Sequence, residues 1–368
     1  MKICLMTSRL CVDTGPEGSE AHRLAEAYRR RGLDVRVLAG QVNCDDPDFT
    51  PSYPLCRLPA VLPRAQAMAA FVRLVWGRVA GRFDVLDCHG LDPFGNIAAH
   101  LHRLFDAPVA LTPRTGELLP ERPAAGRMSA WRRRASGVLR NVDAVVARSL
   151  PARAELVRRG VPPRRIRLIP KGFGPVTLDE RAGFIHPRPY VLALASTGRY
   201  DAMAGLVRAF AEAPRGHGGA DLLIAGDVGD REGLLRLHSR FEAGGGLEFL
   251  GPVDARFRLS LIKGALFAVF PEPSRAAPDN VLPCLALGCP VVLRDAPGVE
   301  MYVSDGDTGL VVRDNEAGLR EAIGRLLADE ATRSAMATSA AAHAERFRWD
   351  RIAGRYLALY RRIVGGRR

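Results

Sequence analysis

The chain has 368 residues, a length that suits two cores of ordinary size rather than one. Hydrophobic residues make up 47% and charged residues 25%, a globular balance that excludes a disordered or collagen-like chain. The formal net charge of +13 comes almost wholly from arginine, because lysine occurs only at Lys2, Lys171 and Lys263; a field of that sign favours phosphates, acidic lipid surfaces or nucleic acid as partners.

In chain order, short apolar runs alternate with helical patterns, as parallel sheets covered by helices require. Strands are predicted at 2–7, 34–40, 83–88, 108–112, 142–148 and 166–169, with helices near 19–32, 65–81, 95–105, 127–139 and 151–160. Ala21, Leu24, Ala25 and Tyr28 give the first helix an apolar face, and Gly32 stops it. The stretch from Pro170 to Pro189 reads as a linker. A second series follows, with strands at 190–196, 220–225, 247–250, 266–270, 290–293 and 309–312. Its helices fall at 204–213, 231–243, 255–264, 279–287 and 316–327. From about residue 346 the tail is helical again, with an apolar face running from Trp349 to Ile363. Two successive βα series predict an α/β fold of two Rossmann-like, doubly wound domains at 1–172 and 173–345, with a C-terminal crossing helix at 346–368 that returns to the first domain.

The seven cysteines show no Cys-x-x-Cys spacing and read as buried, reduced thiols; the histidines form no metal-ligand cluster, so no metal is expected. No apolar run reaches about 18 residues and the chain opens on a strand, so a cytoplasmic protein without a membrane span is expected.

Several segments then carry a resemblance. They are Gly15-Pro-Glu-Gly18 before the first helix, Phe83-Asp-Val-Leu-Asp-Cys-His-Gly90, Val142-Asp-Ala-Val-Val-Ala-Arg-Ser149 and Arg165-Ile-Arg-Leu-Ile-Pro-Lys-Gly172 in the first half. In the second half they are Gly198-Arg199, Leu222-Leu-Ile-Ala-Gly-Asp227, Leu250-Gly-Pro-Val253, Leu285-Ala-Leu-Gly-Cys-Pro-Val-Val292, and Gly298-Val-Glu300 with Asp305-Gly-Asp-Thr-Gly-Leu310. Each is weak alone, but in this order over essentially the whole length the chain resembles a family 4 glycosyltransferase of the two-Rossmann GT-B architecture. The resemblance implies a retaining, hexosyltransferase-type, metal-independent enzyme that moves a sugar from a nucleotide-diphosphate donor to a glycan or lipid-linked hydroxyl, as in polysaccharide biosynthesis. No cofactor is implied, since the nucleotide sugar is the substrate. It places Gly15 and Gly18 in a loop of the first domain, and Gly198, Arg199, Arg275, Asp279, Asn280, Val281 and Glu300 around the donor. Arg199 would clamp the diphosphate, helped by backbone amides where the helix after strand 266–270 begins.

The match departs at defined places. Ala204 stands where the family has a lysine, and the paired donor-site glutamates are replaced by Arg275 and Pro283, with Glu272 three residues upstream of the first. A proline offers neither an N–H nor an acceptor side chain to a ribose. On the acceptor side Arg114 stands where many relatives have a histidine; an arginine can hold a diphosphate or an acidic sugar but cannot act as a base. His89, at the end of strand 83–88, is the nearest titratable alternative, so Arg114 and His89 are the catalytic candidates. These departures leave a second reading open: a non-catalytic glycosyltransferase-like subunit that binds a ligand or partner.

Residues 127–167 hold twelve arginines against Asp143 and Glu155. Arg132-Arg-Arg134 beside Met128 and Trp131 resembles an element resting on an anionic membrane, which would place the protein peripherally at the inner face. A solvated helix face is the plainer reading, and no nucleic-acid partner is expected, because no reading motif accompanies the charge.

Overall fold

The computed structural model describes residues 1–11, 20–43, 50–57, 83–91, 94–105, 108–118, 136–174, 184–195, 200–213, 219–241, 246–272, 277–313 and 316–366. The chain forms two compact units. The first comprises Met1–Gly174 together with Trp349–Arg368, and the second Pro175–Arg348.

The first unit holds a seven-stranded parallel sheet in the order β3-β2-β1-β4-β5-β6-β7. Its strands are β1 (Lys2–Cys11), β2 (Asp34–Asn43), β3 (Leu55–Arg57), β4 (Val85–His89), β5 (Val109–Thr112), β6 (Ala144–Ala147) and β7 (Ile166–Leu168). The order reverses direction between β1 and β4, the topological switch at which open α/β sheets build their sites. Pairing sets Thr7 opposite His89, and His89 opposite Thr112, so these three form one row across the C-terminal end of the sheet.

Side-chain alternation sorts each strand between two layers. Cys4, Met6, Leu86, Cys88, Val109 and Leu111 pack on one face with helix α2 (Phe94–Phe105), which presents Ile97 and Leu101. Ile3, Leu5, Val35, Val37 and Val85 pack on the other with helix α1 (Glu20–Arg30) and the C-terminal helix, Trp349–Gly365. That last helix buries Trp349, Ile352, Ala353, Tyr356, Leu357, Leu359, Tyr360 and Ile363. The tail is therefore part of the first unit's core, as its 3.6-residue apolar period requires.

The second unit repeats the design with six parallel strands in the order β10-β9-β8-β11-β12-β13. These are β8 (Tyr190–Leu194), β9 (Asp221–Ala225), β10 (Leu247–Gly251), β11 (Ala268–Phe270), β12 (Val291–Arg294) and β13 (Gly309–Val312). Among its helices are α5 (Tyr200–Glu212), α8 (Ala277–Ala286), α9 (Glu316–Ala328) and α10 (Glu330–Ala344), counted after α3 (Thr115–Leu118), α4 (Leu150–Arg158), α6 (Arg231–His238) and α7 (Ala255–Gly264); the C-terminal helix is α11.

Several elements differ from the sequence reading. β1 and β2 run on to residues 11 and 43, beyond the predicted ends at 7 and 40, because Arg9-Leu-Cys11 keeps pairing with Gln41-Val-Asn43 although its polar members break the apolar run. β3 went unpredicted: three residues between Pro54 and Pro59 are too short to show a period. Helix α10 was also missed, since Ala-rich Glu330–Ala344 has little apolar stripe; its signal was the N-cap, where Asp329 Oδ1 accepts from the Thr332 amide at 2.8 Å. The predicted helix at 65–81 lies outside the described residues, as do 127–135 of the helix predicted at 127–139. Cys4, Cys88, Cys284 and Cys289 are buried free thiols, and burial pushes Cys4 up to about 12. Among the described residues no helix is long and apolar enough to cross a membrane.

Candidate active site

In the first unit, the end of β5 delivers Arg114 to the sheet edge at the switch point. Its guanidinium is exposed and is tethered by Nη2 donating to Ser8 Oγ of β1 at 2.7 Å. The neighbouring carboxylate, Glu117 of α3, is committed to the backbone: it accepts from the Leu91 amide with both oxygens at 3.0 Å and from the Arg114 amide at 2.8 Å. The Glu117 amide in turn donates to the Arg114 carbonyl at 3.1 Å, a reciprocal clasp like a capping box. Among the described residues no carboxylate forms an ion pair with the Arg114 guanidinium. Gly90, at φ +101°, lies beneath; a Cβ there would stand 3.5 Å from Glu117 Oε1 and 3.6 Å from Arg114 Nε, in a backbone conformation that side chains rarely adopt.

His89 sits one row deeper and is buried. Its Nε2 lies 3.0 Å from Asp87 Oδ2, and its Nδ1 lies 3.8 Å from Glu20 Oε2. Glu20, the first residue of α1, also pairs with Arg148 and accepts from the Tyr356 hydroxyl at 3.2 Å. Thr112 Oγ1 stands 3.1 Å from the same hydroxyl. An ionised carboxylate only accepts, so the tyrosine proton points at Glu20 and the threonine hydroxyl donates to the tyrosine oxygen. Tyr360, one turn further along α11, shares a 3.0 Å hydrogen bond with Tyr28 of α1.

The charges of this cluster balance: His89 and Arg148 face Asp87 and Glu20. Burial by itself would push the His89 imidazole down. The Asp87 charge, the hydrogen bonds from Asp87 and Glu20, and the Glu20 charge overcome that and hold it up at about 9. Burial likewise opposes ionisation of Glu20, but Arg148 and His89 keep its carboxyl well below the usual range. Burial, with the Asp87 charge adding to it, pushes the phenols of Tyr28, Tyr356 and Tyr360 well above the ordinary tyrosine value. A histidine already protonated at neutral pH, with a carboxylate on each side, has no lone pair to accept a substrate proton. The geometry sets His89 between Asp87 and Glu20 as a buried cation that orders both carboxylates.

In the second unit the switch lies between β8 and β11. Gly226, at φ +114°, approaches it closely; a Cβ there would fall 2.3 Å from the Ala195 carbonyl oxygen. Gly198, Arg199 and Arg275 lie outside the described residues, as do Gly15 and Gly18 of the first unit. Glu272, just past β11, is buried. Asp279 and Asn280 lie half-buried in the first turn of α8. Amides of a first turn lack intrahelical partners, whereas the Val281 amide falls within the helical ladder and its side chain is buried in the core. The Val281 side chain is therefore a packing group. Pro283 lies inside α8, and Ala204, at the family's lysine position, is buried among the apolar residues of the second core. Glu300 is exposed, and its Oε2 accepts from the Gly298 amide at 2.8 Å, closing a turn in which Gly298 has φ +106°. Among the described residues no three His, Cys, Asp or Glu side chains gather as metal ligands.

Sequence reasoning missed Glu20, Asp87, Arg148, Tyr356, Ser8 and Glu117. Glu20 and Arg148 are 128 residues apart and Glu20 and Tyr356 336 apart, so no local spacing reveals them. Position alone gave a signal: Glu20 opens the helix after a Gly-rich loop, and Arg148 ends the apolar run of β6.

The comparisons agree with this architecture. The Glycosyl transferase 4-like domain matches residues 18–172, and the Glycosyl transferases group 1 family matches residues 188–329. The D-inositol 3-phosphate glycosyltransferase of Acidothermus cellulolyticus is 28% identical over 364 residues, covering 92% of this chain and 78% of that protein. The lipopolysaccharide core biosynthesis glycosyltransferase LpsE of Rhizobium meliloti is 30% identical over 242 residues, or 63% of this chain and 68% of that protein. Among solved structures, Anabaena HepE in complex with UDP and glucose superposes with a TM-score of 0.66 at 18% identity, covering 98% of this chain and 99% of that one. The chain belongs to the family 4 glycosyltransferases of GT-B architecture, and it is a sugar-transferring enzyme of the hexosyltransferase type.

Proposed function

We propose that the chain takes a hexose from a nucleotide-diphosphate donor and transfers it, with retention, to a hydroxyl of a glycan or lipid-linked acceptor. The observation that carries this reading is the repeated sheet with a switch point in each unit, matched by one family model per half. The UDP and glucose bound by HepE, a protein of the same fold, support a nucleotide sugar as the donor. In this reading Arg199 and the first-turn amides of α8 hold the diphosphate and stabilise the charge that grows on it as the sugar departs. Protonated His89 and permanently charged Arg114 both lack basicity, so the departing diphosphate oxygen takes the acceptor proton. A base on the protein is then not needed. Arg275 and Pro283 cannot accept from donor hydroxyls as the family's glutamates do, so that work falls to other groups; Glu272, buried at the end of β11, stands nearest in sequence. The arginines at 132–134 would hold the protein peripherally against the anionic inner face of a membrane, where a lipid-linked acceptor resides.

Calorimetric titration of the whole chain with UDP, GDP and ADP tests the donor side. At least one should bind, and Arg199→Ala should weaken it at least tenfold, about 1.4 kcal/mol. If none of the three binds, the donor reading fails.

A further inference from the structure

We propose that Arg114, tethered by Ser8, is the specificity-determining residue for an acceptor that carries a phosphate group beside the hydroxyl it offers. This rests on the transfer reading above and names the chemistry of its acceptor.

Cations are used in two ways at this sheet edge. Arg148 and His89 are matched there by Glu20 and Asp87, and their charges are spent inside the protein. Arg114 is different: it is exposed, it lies at the switch point, and among the described residues its guanidinium meets no carboxylate. Among the described residues its side chain makes one hydrogen bond, to Ser8 Oγ, which leaves most of its five N–H groups for a ligand. Because Ser8 accepts that bond, the serine hydroxyl proton remains available as a further donor.

The tether matters as much as the charge. A free surface arginine loses side-chain entropy when a ligand fixes it. Here Ser8 holds one corner of the guanidinium, and the Glu117 clasp fixes the backbone of residues 114–117. Glu117 spends both oxygens on backbone amides, so it acts as an anchor for the turn rather than as the counter-ion of Arg114. Gly90 supplies the φ of +101° that the turn beside the guanidinium needs; a Cβ there would be in ordinary van der Waals contact with Arg114 and Glu117. A planar fork with a neighbouring hydroxyl matches an oxyanion with several terminal oxygens, and the fit is poorer for a neutral hydroxyl. A phosphate meets that description, either as a soluble sugar phosphate or as the head-group phosphate of a lipid.

The test measures binding by the full-length protein, with and without saturating UDP, using three probes. They are myo-inositol, inositol 3-phosphate, and micelles of short-chain phosphatidylinositol. At least one phosphorylated probe should bind at least tenfold more tightly than myo-inositol. Arg114→Gln should remove that preference, Arg114→Lys should restore part of it, and UDP affinity should stay unchanged in both. The soluble and the micellar probe separate the two sources of phosphate, and preference for either supports the assignment. The proposal is overturned if myo-inositol binds as well as both phosphorylated probes, or if Arg114→Gln keeps the wild-type preference. It is also overturned if Arg114→Gln weakens UDP instead, which would move the arginine to the donor diphosphate. Failure of wild-type protein to bind UDP is a separate result and bears on the donor alone. Circular dichroism of each variant shows whether the fold is kept, and the lysine variant retains the charge if glutamine disturbs the turn.

Discussion

The buried cluster around His89 makes a pH dependence that can be worked through. Its pKa is raised from about 6.5 in the unfolded chain to about 9 in the folded one. A group shifted upward stabilises the fold fully below its unfolded pKa, and that stabilisation is lost as pH rises through the folded value. The contribution is on the order of a few kcal/mol at pH 7 and close to zero at pH 10. The groups facing the ring are Asp87 on β4, Glu20 on α1 with its partner Arg148 after β6, and Tyr356 of α11, whose ring centroid lies 6.2 Å away. Loss of the proton would leave two carboxylates against one arginine in a largely buried site. Nitrogen-15 imidazole NMR of the intact protein should therefore show one ring that stays protonated until about pH 9. Urea midpoints measured at pH 7 and pH 10 should fall further for the wild type than for His89→Gln. Comparing the two slopes removes the tyrosines, cysteines and lysines that titrate over the same range. A His89 ring that titrates near 6.5, or equal slopes for the two proteins, would refute the charge assignment.

Other perturbations follow from the same cluster and its neighbours. Glu20→Gln leaves Arg148 and His89 without their shared carboxylate, so it should destabilise the first unit by about 3–5 kcal/mol, read by chemical denaturation. Tyr356→Phe removes only a hydroxyl that donates to that carboxylate and should cost about 1.5–3 kcal/mol, with the helix still docked. Ile352→Ala, in the fully buried face of α11, should cost about 2–5 kcal/mol, and removal of residues 349–368 should expose the first core and cause aggregation; a truncated chain that stays monomeric with an unchanged melting temperature would count against this. Arg275 reverses the charge of the family's carboxylate, so a uronic acid donor should compete better than its neutral counterpart. Competition between UDP-glucuronate and UDP-glucose checks this, and equal affinities would remove Arg275 from the sugar's surroundings.

The alternation of apolar strands and amphipathic helices was legible because it follows from burial on both faces of parallel sheets. The stripe from Trp349 to Ile363 likewise announced a helix with a core to join. Elements without such a period were not legible: a three-residue edge strand at Leu55–Arg57, and an alanine-rich helix at Glu330–Ala344 marked mainly by its cap. The site was partly legible. His89 could be picked out because it ends β4, and Arg114 because it follows β5 at the place where many relatives have a histidine.

Their opposite roles could not be read, because a role depends on what faces the charge. His89 and Arg114 occupy adjacent rows at the ends of neighbouring strands and look equally functional along the chain. Folding brings Asp87, Glu20 and the tail's Tyr356 around the histidine, and its charge is then fully used in holding α1 and α11 to the sheet. Among the described residues the guanidinium of the arginine hydrogen-bonds a serine hydroxyl, and the neighbouring Glu117 is committed to backbone amides. A buried charge must be matched or it neutralises itself, so a matched cation says little about ligands. An exposed cation at a switch point has no such obligation, and one held in place with no ion pair among the described residues is set toward a ligand's anion. The prediction that separates these roles compares Arg114→Gln with His89→Gln. The first should lose the phosphate preference while its stability stays within about 0.5 kcal/mol of the wild type, as surface changes do. The second should lose stability and its high-pH slope. A destabilised Arg114→Gln with an unaltered ligand preference would show that pairing does not distinguish structural from functional cations here.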